Sequence, residues 1–309
     1  MQKTKTSCMS NLTISQVEPI VNDVSMHKIL STAEEKLLNS REIRKNLANY
    51  YYSVGKVNTA ISIENCGTFL MFKKYSDLQH TTKLDKANFC KNALCPLCSW
   101  RRALKYSYIT DKAIKTTKKY LYHLVLAVPN TLAIDKGVLM NLKSKAVYFL
   151  KNYLKISSYI SNLEITKSDK GFHPHLHIVF ESDDFIRVDA AYIRLMSSCW
   201  KRCVNKFDDE YEGYTFYLQG VKKDDDGLCK ELTKYAFKSD VKVTDTDLSL
   251  LASSLHGVRR MSSGGNFKKA LSVAKKMHSA EIDDEITKLS KYDYEYLIFN
   301  YINGVFVEH

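Results

Sequence analysis

The sequence lacks any long apolar run. No window of its 309 residues approaches the roughly 20 apolar residues that a membrane-spanning helix needs. The first residues, MQKTKTSCMSNLTISQ, contain neither the apolar core nor the small-residue cleavage site of a secretory signal. Internal repeats and low-complexity tracts are also missing. We therefore expect a cytoplasmic protein whose cysteines serve as thiols or metal ligands rather than disulfides.

Acidic residues are in the minority. The chain contains 34 Asp and Glu against 46 Lys and Arg, which gives a formal net charge of +12. Such a surplus favours a polyanionic partner, with nucleic acid ahead of an anionic membrane surface. Hydrophobic residues make up 45% of the chain, so a sizeable core can form.

The spacing of apolar residues predicts an α+β fold. One or two amphipathic helices are expected between residues 26 and 52. Further elements follow in the order β-α-β-β-α-β-α, at residues 120–128, 137–155, 159–167, 175–180, 188–207, 214–221 and 228–238. This order is typical of the ferredoxin-like, RRM-like split-βαβ arrangement, in which helices lie on one face of an antiparallel sheet. A further helical stretch is expected at residues 248–255.

The same reading divides the chain into four parts. Residues 1–59 form a loose leader followed by the amphipathic helices, and residues 60–117 form a small cysteine-rich module with little helical pattern. Residues 118–275 form the main α+β domain. Residues 276–309 form a C-terminal tail, which serves either as a dimer surface or as a cap.

Histidines open one of the apolar strands, in the sequence His173-Pro174-His175-Leu176-His177. Because residues i and i+2 of a strand point to one face, His175 and His177 can bind the same metal ion. Imidazole ligands suit ions such as Mn²⁺, Zn²⁺, Co²⁺ or Ni²⁺. A carboxylate is expected to complete the site, either Glu164 in the preceding strand or Asp169 in the turn between them. The alternative is that these histidines are surface residues near a turn.

Cysteines cluster in a second motif. Cys90, Cys95 and Cys98 lie within one short loop, and Cys66 upstream supplies a fourth thiol. Four such ligands bind Zn²⁺ tetrahedrally and hold together a segment too small for its own core. Buried free thiols are the alternative. Basic residues that suit phosphate contacts follow directly, namely Arg101, Arg102 and Lys105.

A third motif lies at residues 231–238, read as helical. Glu231 and Tyr235 are four residues apart, so they share one helix face, and Lys234 and Lys238 form a second such pair. A tyrosine hydroxyl can attack a phosphodiester, a lysine can stabilise the developing charge, and a carboxylate can activate water. Packing residues on a solvated helix are the alternative. Arg259 and Arg260 lie downstream in a glycine-containing segment.

Taken in order, these motifs resemble the replication initiators of small rolling-circle plasmids, within the HUH endonuclease superfamily. The matching blocks are residues 89–102, 123–130, 172–177 and 231–240, and they lie between residues 66 and 267. Conjugative relaxases place the tyrosine before the histidines, whereas here Tyr235 follows them. The order therefore favours a replication initiator or a related transposase.

The resemblance implies a site-specific single-strand DNA endonuclease and strand transferase, with residues 118–275 as its HUH endonuclease domain. Tyr235 would be the nicking nucleophile, leaving a 5′-phosphotyrosine link and a free 3′-hydroxyl primer. His175, His177 and Glu164 would hold a catalytic Mn²⁺ or Mg²⁺, and Glu231 would carry the terminating hydrolysis. Zn²⁺ would be structural, bound by the four cysteines.

The resemblance also implies partners. They are plasmid origin DNA, presented as a single strand or a hairpin, and the host helicase and polymerase; a homodimer is left open. The expected DNA contacts are Arg101, Arg102, Lys105, Lys234, Lys238, Arg259 and Arg260. Two other functions are carried as alternatives: a zinc-dependent DNA-binding copy-number regulator without catalysis, and a nucleotide hydrolase of the histidine-triad type.

Overall fold

The computed structural model describes residues 23–204, 214–222, 226–233, 237–239 and 243–309. Its helices are α1 (Asp23–Asn39), α2 (Arg41–Ser53), α3 (Val57–Glu64), α4 (Pro96–Lys115), α5 (Lys136–Asn152), α6 (Ala190–Val204), α7 (Asp226–Leu232), α8 (Asp245–Leu255) and α9 (Gly265–Leu289). Its strands are β1 (Phe69–Tyr75), β2 (Thr82–Ala87), β3 (Tyr120–Ala127), β4 (Tyr159–Ser168), β5 (Gly171–Ser182), β6 (Thr215–Val221), β7 (Phe237–Ser239), β8 (Met261–Gly264), β9 (Tyr294–Ile302) and β10 (Val305–Glu308). The predicted α+β class is confirmed.

The larger sheet is built around the strand order β6-β3-β5-β4, in which every neighbouring pair is antiparallel. Helix α5 connects β3 to β4, a tight turn connects β4 to β5, and α6 connects β5 to β6. This is the split β-α-β arrangement that the apolar spacing predicted. Two short strands extend the sheet at β4: β7 pairs with it in parallel and β8 pairs with it antiparallel.

Side chains alternate between the two faces of this sheet. On the first face, Leu124, Leu163 and Ile178 pack with residues of α5, α6 and α8. On the second face, Ile160 and Val179 pack with residues of α4, α7 and α9. The prediction of helices on one face only is therefore wrong, because β4 and β5 are apolar at both alternating sets of positions along part of their length.

A second, smaller sheet has the strand order β10-β9-β1-β2. It joins β1 and β2 of the predicted cysteine-rich module to β9 and β10 of the predicted tail. Phe299 of β9 packs with Leu70 and Phe72 of β1, and Met26 of α1 lies in the same cluster. The tail is thus part of the same structure as the module.

Two long helices differ from the sequence prediction. Helix α4 begins inside the module that was read as low in helical pattern, with the extended residue Cys95 as its N-cap and Pro96 in its first turn. Proline at that place is pre-organised for a helix start. Helix α9 covers 25 residues and runs across the predicted boundary at residues 275 and 276. Among the described residues, no helix is long and apolar enough to cross a membrane.

The predicted helix over residues 228–238 is too long. Helix α7 ends at Leu232, and Phe237 begins strand β7, which pairs with Ile165 of β4. Residues 237–239 pair with the edge of β4 instead of continuing the helix that the sequence pattern predicted. Glu231 lies in α7, whereas Lys234 and Tyr235 lie outside the described residues, and Lys238 lies in β7.

Candidate metal centre

The antiparallel ladder between β4 and β5 brings a carboxylate opposite the histidine pair. Glu164 is the direct cross-strand partner of His175, and His177 is the partner of Asn162. All four positions alternate onto the second face of the sheet, the face that also carries Ile160 and Val179. The sequence places Leu176 between the two histidines, and its side chain enters the core of the first face.

Glu164, His175 and His177 form a compact, buried triad. The Nε2 atom of His177 lies 3.1 Å from Oε2 of Glu164, and Nε2 of His175 lies 3.5 Å from the same oxygen. Donor atoms bound to a common ion at about 2.1 Å lie about 3.0–3.5 Å apart, so the spacing fits a shared metal. Asp169, the other candidate carboxylate, is exposed in the β4–β5 turn and does not belong to this group.

The other ring nitrogens of both histidines are engaged. Nδ1 of His175 lies 3.1 Å from the carbonyl oxygen of His173, and Nδ1 of His177 lies 3.2 Å from Nε2 of His123. A histidine that donates from Nδ1 offers the Nε2 lone pair to a metal. Both lone pairs are then directed at Glu164, so the chemistry of this donor set fits a divalent ion.

His123 is a residue to which the sequence reading assigned no role. It lies in β3, is 6% exposed, and stacks on His177 with ring centroids 5.4 Å apart and an interplanar angle of 13°. A signal was available: it is a polar residue in an apolar strand, on the opposite face from Tyr122 and Leu124. What the sequence could not give was the pairing of β3 with β5 that brings it to His177.

Arg260 also lies near the triad. Its carbonyl oxygen accepts a hydrogen bond of 3.2 Å from the backbone N–H of Leu163. Burial first, and then the charge of Arg102 on α4, lower the pKa of the half-buried guanidinium to about 10, although the charge of Glu164 acts in the opposite direction. Arg260 is therefore a partly buried charge that interacts with Glu164, whereas Arg259 is exposed.

The edge of β4 that does not pair with β5 has a different partner strand on each side of Glu164. Strand β8 pairs with residues 159–162 of β4, and β7 pairs with residues 165–167. Two segments that are distant in sequence thus approach Glu164 from opposite ends of β4. The first is the segment that ends at Arg260, directly before β8. The second is β7, which begins with Phe237.

The four predicted zinc ligands are brought together as well. The Sγ atoms of Cys66 and Cys98 lie 3.5 Å apart, and those of Cys90 and Cys98, and of Cys95 and Cys66, lie 3.6 Å apart. Zinc–sulfur bonds of 2.3 Å in a tetrahedron put the sulfur atoms about 3.8 Å apart. Hydrogen bonds from the other three thiols, that of Cys66 first, lower the pKa of Cys98 against the effect of burial.

Two backbone N–H groups point at sulfur atoms of the cysteine cluster, and one arginine binds the backbone beside it. The N–H of Cys90 lies 3.4 Å from Sγ of Cys66, and the N–H of Lys91 lies 3.2 Å from Sγ of Cys98. The buried guanidinium of Arg44 donates to the carbonyl oxygens of Glu64 and Cys66. Helix α2 is thereby fastened to the first ligand.

The basic residues after the cluster occupy the first turns of α4. Arg101 stacks on Phe89 with its guanidinium carbon 3.7 Å from the ring centroid, and Arg102 donates to the carbonyl oxygen of Lys91 at 2.9 Å. Both are half-buried, whereas Lys105 is exposed. Of the three, Lys105 is thus the most accessible to a phosphate.

A family model described as replication protein matches residues 81–301, which is more than two thirds of the chain. The chain belongs to this family. It is the family of rolling-circle plasmid replication initiators that the ordered motifs resemble. The matched range of this replication protein includes the histidine–glutamate triad and Tyr235, as well as Cys90, Cys95 and Cys98. Cys66 lies upstream of it.

Several similar proteins carry the name "Protein rep". A "Protein rep" of Lentilactobacillus hilgardii is 26% identical over 302 residues, covering 88% of this chain and 93% of that protein. One of Lactiplantibacillus plantarum is 28% identical over 247 residues, covering 71% and 76%. One of Streptococcus pneumoniae serotype 2 is 32% identical over 146 residues, covering 43% and 45%, so this chain spans less than half of its length. No solved structure matches the chain.

Proposed function

We propose that this replication protein nicks one strand of its plasmid origin by metal-assisted attack of Tyr235, within an HUH endonuclease domain. The observation that carries the proposal is the buried triad of Glu164, His175 and His177, with the histidine Nε2 atoms 3.1 and 3.5 Å from one carboxylate oxygen. The triad and the family match support neither of the two alternative functions. A regulator without catalysis needs no such triad, and the family is one of replication proteins rather than nucleotide hydrolases.

The position of Tyr235 in the chain supports its role as nucleophile. It precedes Phe237 by two residues, and two residues of chain span at most about 7 Å. Phe237 is paired with Ile165, the neighbour of Glu164. The tyrosine is therefore joined by a short length of chain to β7, the strand that pairs with β4 next to Glu164.

The proposed reaction is a transesterification. The Tyr235 oxygen attacks the scissile phosphorus, the bond to the 3′ oxygen breaks, and that oxygen takes up a proton to become the free 3′-hydroxyl. Glu164, His175 and His177 would hold the Mn²⁺ or Mg²⁺, which would supply Lewis-acid stabilisation of the charge on a non-bridging phosphate oxygen. Arg260 adds a positive charge beside Glu164, and Lys234 and Lys238 add further charge in the segment of the nucleophile.

Glu231 is proposed to end a replication round. It lies in α7, whose Leu228 and Leu232 pack with α4 and α9, so the helix is anchored on the second face. A carboxylate near the phosphotyrosine can activate water for hydrolysis of that link. Glu231→Ala is then expected to leave first-strand nicking intact and to slow release of the enzyme from its 5′ end.

The nicking proposal predicts a covalent adduct that depends on Tyr235. Supercoiled origin plasmid incubated with the wild type and Mn²⁺ should yield nicked DNA with protein on its 5′ end. Tyr235→Phe should give no adduct because it lacks the attacking oxygen. Denaturing gel electrophoresis of end-labelled DNA measures both.

Tyr217→Phe is the matched control. Tyr217 is an exposed tyrosine on β6 of the same sheet, so its loss should leave the adduct unchanged. If Tyr235→Phe forms as much adduct as the wild type, or the wild type forms none, the nicking proposal is wrong. Loss of the adduct in Tyr217→Phe, with the adduct retained in Tyr235→Phe, would mean that Tyr217 rather than Tyr235 is the nucleophile.

We also propose that the four cysteines bind a structural Zn²⁺. The support is the mutual spacing of the Sγ atoms and the two backbone N–H groups directed at them. The ion would fasten Cys66, which follows α3, to the start of α4. The basic first turns of α4 would then be held in a fixed position for contacts with origin DNA.

The zinc proposal predicts a stoichiometric loss of metal. Cys95→Ser and Cys98→Ser should each lose about one zinc per chain, as elemental analysis of purified protein would show. Cys203→Ser is the control, because Cys203 is a buried thiol in α6 and belongs to the main core instead. Unchanged zinc content in the Cys95 and Cys98 variants would contradict the assignment.

The wider set of partners follows from the same proposal. Origin DNA is expected to contact Lys105, Arg259, Arg260 and the half-buried pair Arg101 and Arg102. A host polymerase would extend the 3′-hydroxyl, and a host helicase would open the duplex ahead of it.

A further inference from the structure

We infer that His123 is a positioning residue that fixes the tautomer of His177 and thereby sets the affinity of the site for its divalent ion. This inference rests on the metal role proposed for Glu164, His175 and His177. It concerns a residue of a different strand, for which the motifs provide no role. Its basis is the contact of 3.2 Å between Nε2 of His123 and Nδ1 of His177.

The direction of this hydrogen bond follows from the metal site. A neutral imidazole carries one proton, so His177 can offer the Nε2 lone pair only when Nδ1 holds that proton. Nδ1 of His177 therefore donates, and Nε2 of His123 accepts. His123 in turn carries its own proton on Nδ1.

The geometry leaves little freedom for another arrangement. His123 and His177 are 6% and 7% exposed, and their rings are nearly parallel. In a buried site the acceptor cannot be replaced by bulk water without cost. Removing it would leave the Nδ1 proton without its partner and would favour the tautomer that places the proton on Nε2, where the metal binds.

The comparison with His175 shows why a side chain is needed here. Nδ1 of His175 has a backbone acceptor, the carbonyl oxygen of His173 at 3.1 Å, which any residue at position 173 would supply. His177 has an acceptor from a side chain of β3 instead. Outer partners of this kind typically change metal affinity by about 10- to 100-fold when they are removed.

Two substitutions separate the hydrogen bond from the packing. His123→Phe keeps a ring in the buried position and removes the acceptor. His123→Gln places an amide oxygen near the position of Nε2 and restores it. Mn²⁺ is the probe because it prefers nitrogen and oxygen ligands over thiolates, so the cysteine cluster of zinc-loaded protein does not compete.

Isothermal titration of zinc-loaded protein with Mn²⁺ measures the effect directly. We expect one site in the wild type, affinity about 10- to 100-fold weaker in His123→Phe, and recovery of most of the affinity in His123→Gln. The double variant His175→Ala, His177→Ala should bind no Mn²⁺. Near-ultraviolet circular dichroism of the same Mn²⁺-free samples reports whether each variant is folded.

The hydrogen bond itself is visible by NMR of the imidazoles in protein saturated with diamagnetic Mg²⁺, because the ion then takes the Nε2 lone pair and leaves the proton on Nδ1. The Nδ1–H signal of His177, identified as the one that His177→Ala removes, should be shifted downfield and slow to exchange in the wild type and His123→Gln. In His123→Phe it should move upfield and exchange faster. A purely structural role of His123 would not produce this selective shift.

The outcomes distinguish this inference from the function on which it rests. Wild-type affinity and an unchanged His177 Nδ1–H signal in a folded His123→Phe would overturn the role of His123 and leave the metal site standing. A wild type that binds no Mn²⁺ would overturn the metal site, and the role of His123 with it. Failure of His123→Gln to recover binding while keeping the Nδ1–H signal would also overturn the inference.

Discussion

Lys167 and Asp247 tie the β4–β5 hairpin to helix α8. Their side chains form an ion pair and are 18% and 8% exposed. Asp247 also accepts from the backbone N–H of Thr244 at 2.9 Å, which closes the capping box of α8. Burial alone would raise the pKa of Asp247, but the hydrogen bonds from Lys167 and Thr244 lower it below its ordinary value.

Asp247→Asn should therefore destabilise the protein in a pH-dependent way. Loss of a hydrogen bond to a charged group costs about 1.5–3 kcal/mol at neutral pH. Because the folded pKa is lowered, the contribution of Asp247 is present above the unfolded pKa of about 3.9 and is lost as pH falls through the folded value. Urea unfolding of both proteins between pH 7 and pH 3 should show the difference shrinking below about pH 4.

Asp245→Asn is the control at the same helix end. Asp245 is exposed in the first turn of α8, so its loss removes only a weak interaction with the helix dipole, about 0.3–1 kcal/mol. A similar loss of stability in both variants would mean that charge near the helix end, rather than the bond to Lys167, is responsible.

The residues of the candidate metal centre were predictable in part. Strand alternation alone predicted that His175 and His177 share a face, and the structure agrees. The choice between Glu164 and Asp169 required the register of β4 against β5, which depends on the length of the turn. His123 required long-range pairing between strands, which no local pattern contains.

At the scale of elements, the turn between β4 and β5 fixes the register in which these two strands pair. Gly171 opens β5 with φ of +103°, a conformation that residues with a side chain rarely adopt. A Cβ there would lie 2.6 Å from the carbonyl oxygen of Thr131. Thr131 and Phe172 exchange two backbone hydrogen bonds of 2.8 Å, so neither can easily move away.

Gly171→Ala should consequently destabilise the protein and weaken Mn²⁺ binding. The backbone strain alone costs about 1–3 kcal/mol, and the close contact adds to it. A shift of the turn is transmitted along the ladder to Glu164 and His175. Urea unfolding and Mn²⁺ titration measure the two effects.

Gly55→Ala separates strain from contact. Gly55 has φ of +74°, but a Cβ there would meet nothing within 4 Å. It should lose less stability than Gly171→Ala and should keep the affinity for Mn²⁺. Equal losses would mean that the approach of Thr131 is unimportant.

The elements from β3 to β6 lie within a few residues of the prediction, because each buries a regular apolar pattern between clear turns. Helix α4 was missed because cysteines and basic residues mask its apolar spacing, although Ile109 and Ala113 are buried. The sequence predicts helix at the position of strand β7, because an edge strand of three residues has no periodicity of its own. Its structure depends on the free edge of β4.

At the scale of the whole molecule, the small sheet joins β1 and β2 to β9 and β10, which come much later in the chain. Phe299 of β9 is 6% exposed and meets Phe72 of β1 edge-to-face, with ring centroids 5.9 Å apart. The backbone N–H of Tyr301 donates to the carbonyl oxygen of Thr68 at 2.8 Å, and Thr68 lies two residues after Cys66 of the cysteine cluster. The C-terminal hairpin is therefore part of the support of the cluster.

Phe299→Ala should destabilise this assembly strongly. Removing a buried phenylalanine leaves a cavity and typically costs about 3–5 kcal/mol. Urea unfolding followed by circular dichroism measures the loss. Tyr296→Ala is the control, because Tyr296 lies on the same strand with 48% of its surface exposed and contacts Lys73 and Tyr294 at the surface. A loss below about 1 kcal/mol in Phe299→Ala would contradict the role of β9.

The pairing of β1 with β9 also has a consequence for synthesis of the chain on the ribosome. About 220 residues separate Tyr75 from its partner Tyr294. At about 5–20 residues per second, translation of that interval takes on the order of 10–40 s. During this time the edge of β1 that β9 will cover has no native partner, and such an edge is prone to pair with other chains. Rapid translation of this replication protein should thus favour its soluble yield, whereas pausing before β9 should favour aggregation.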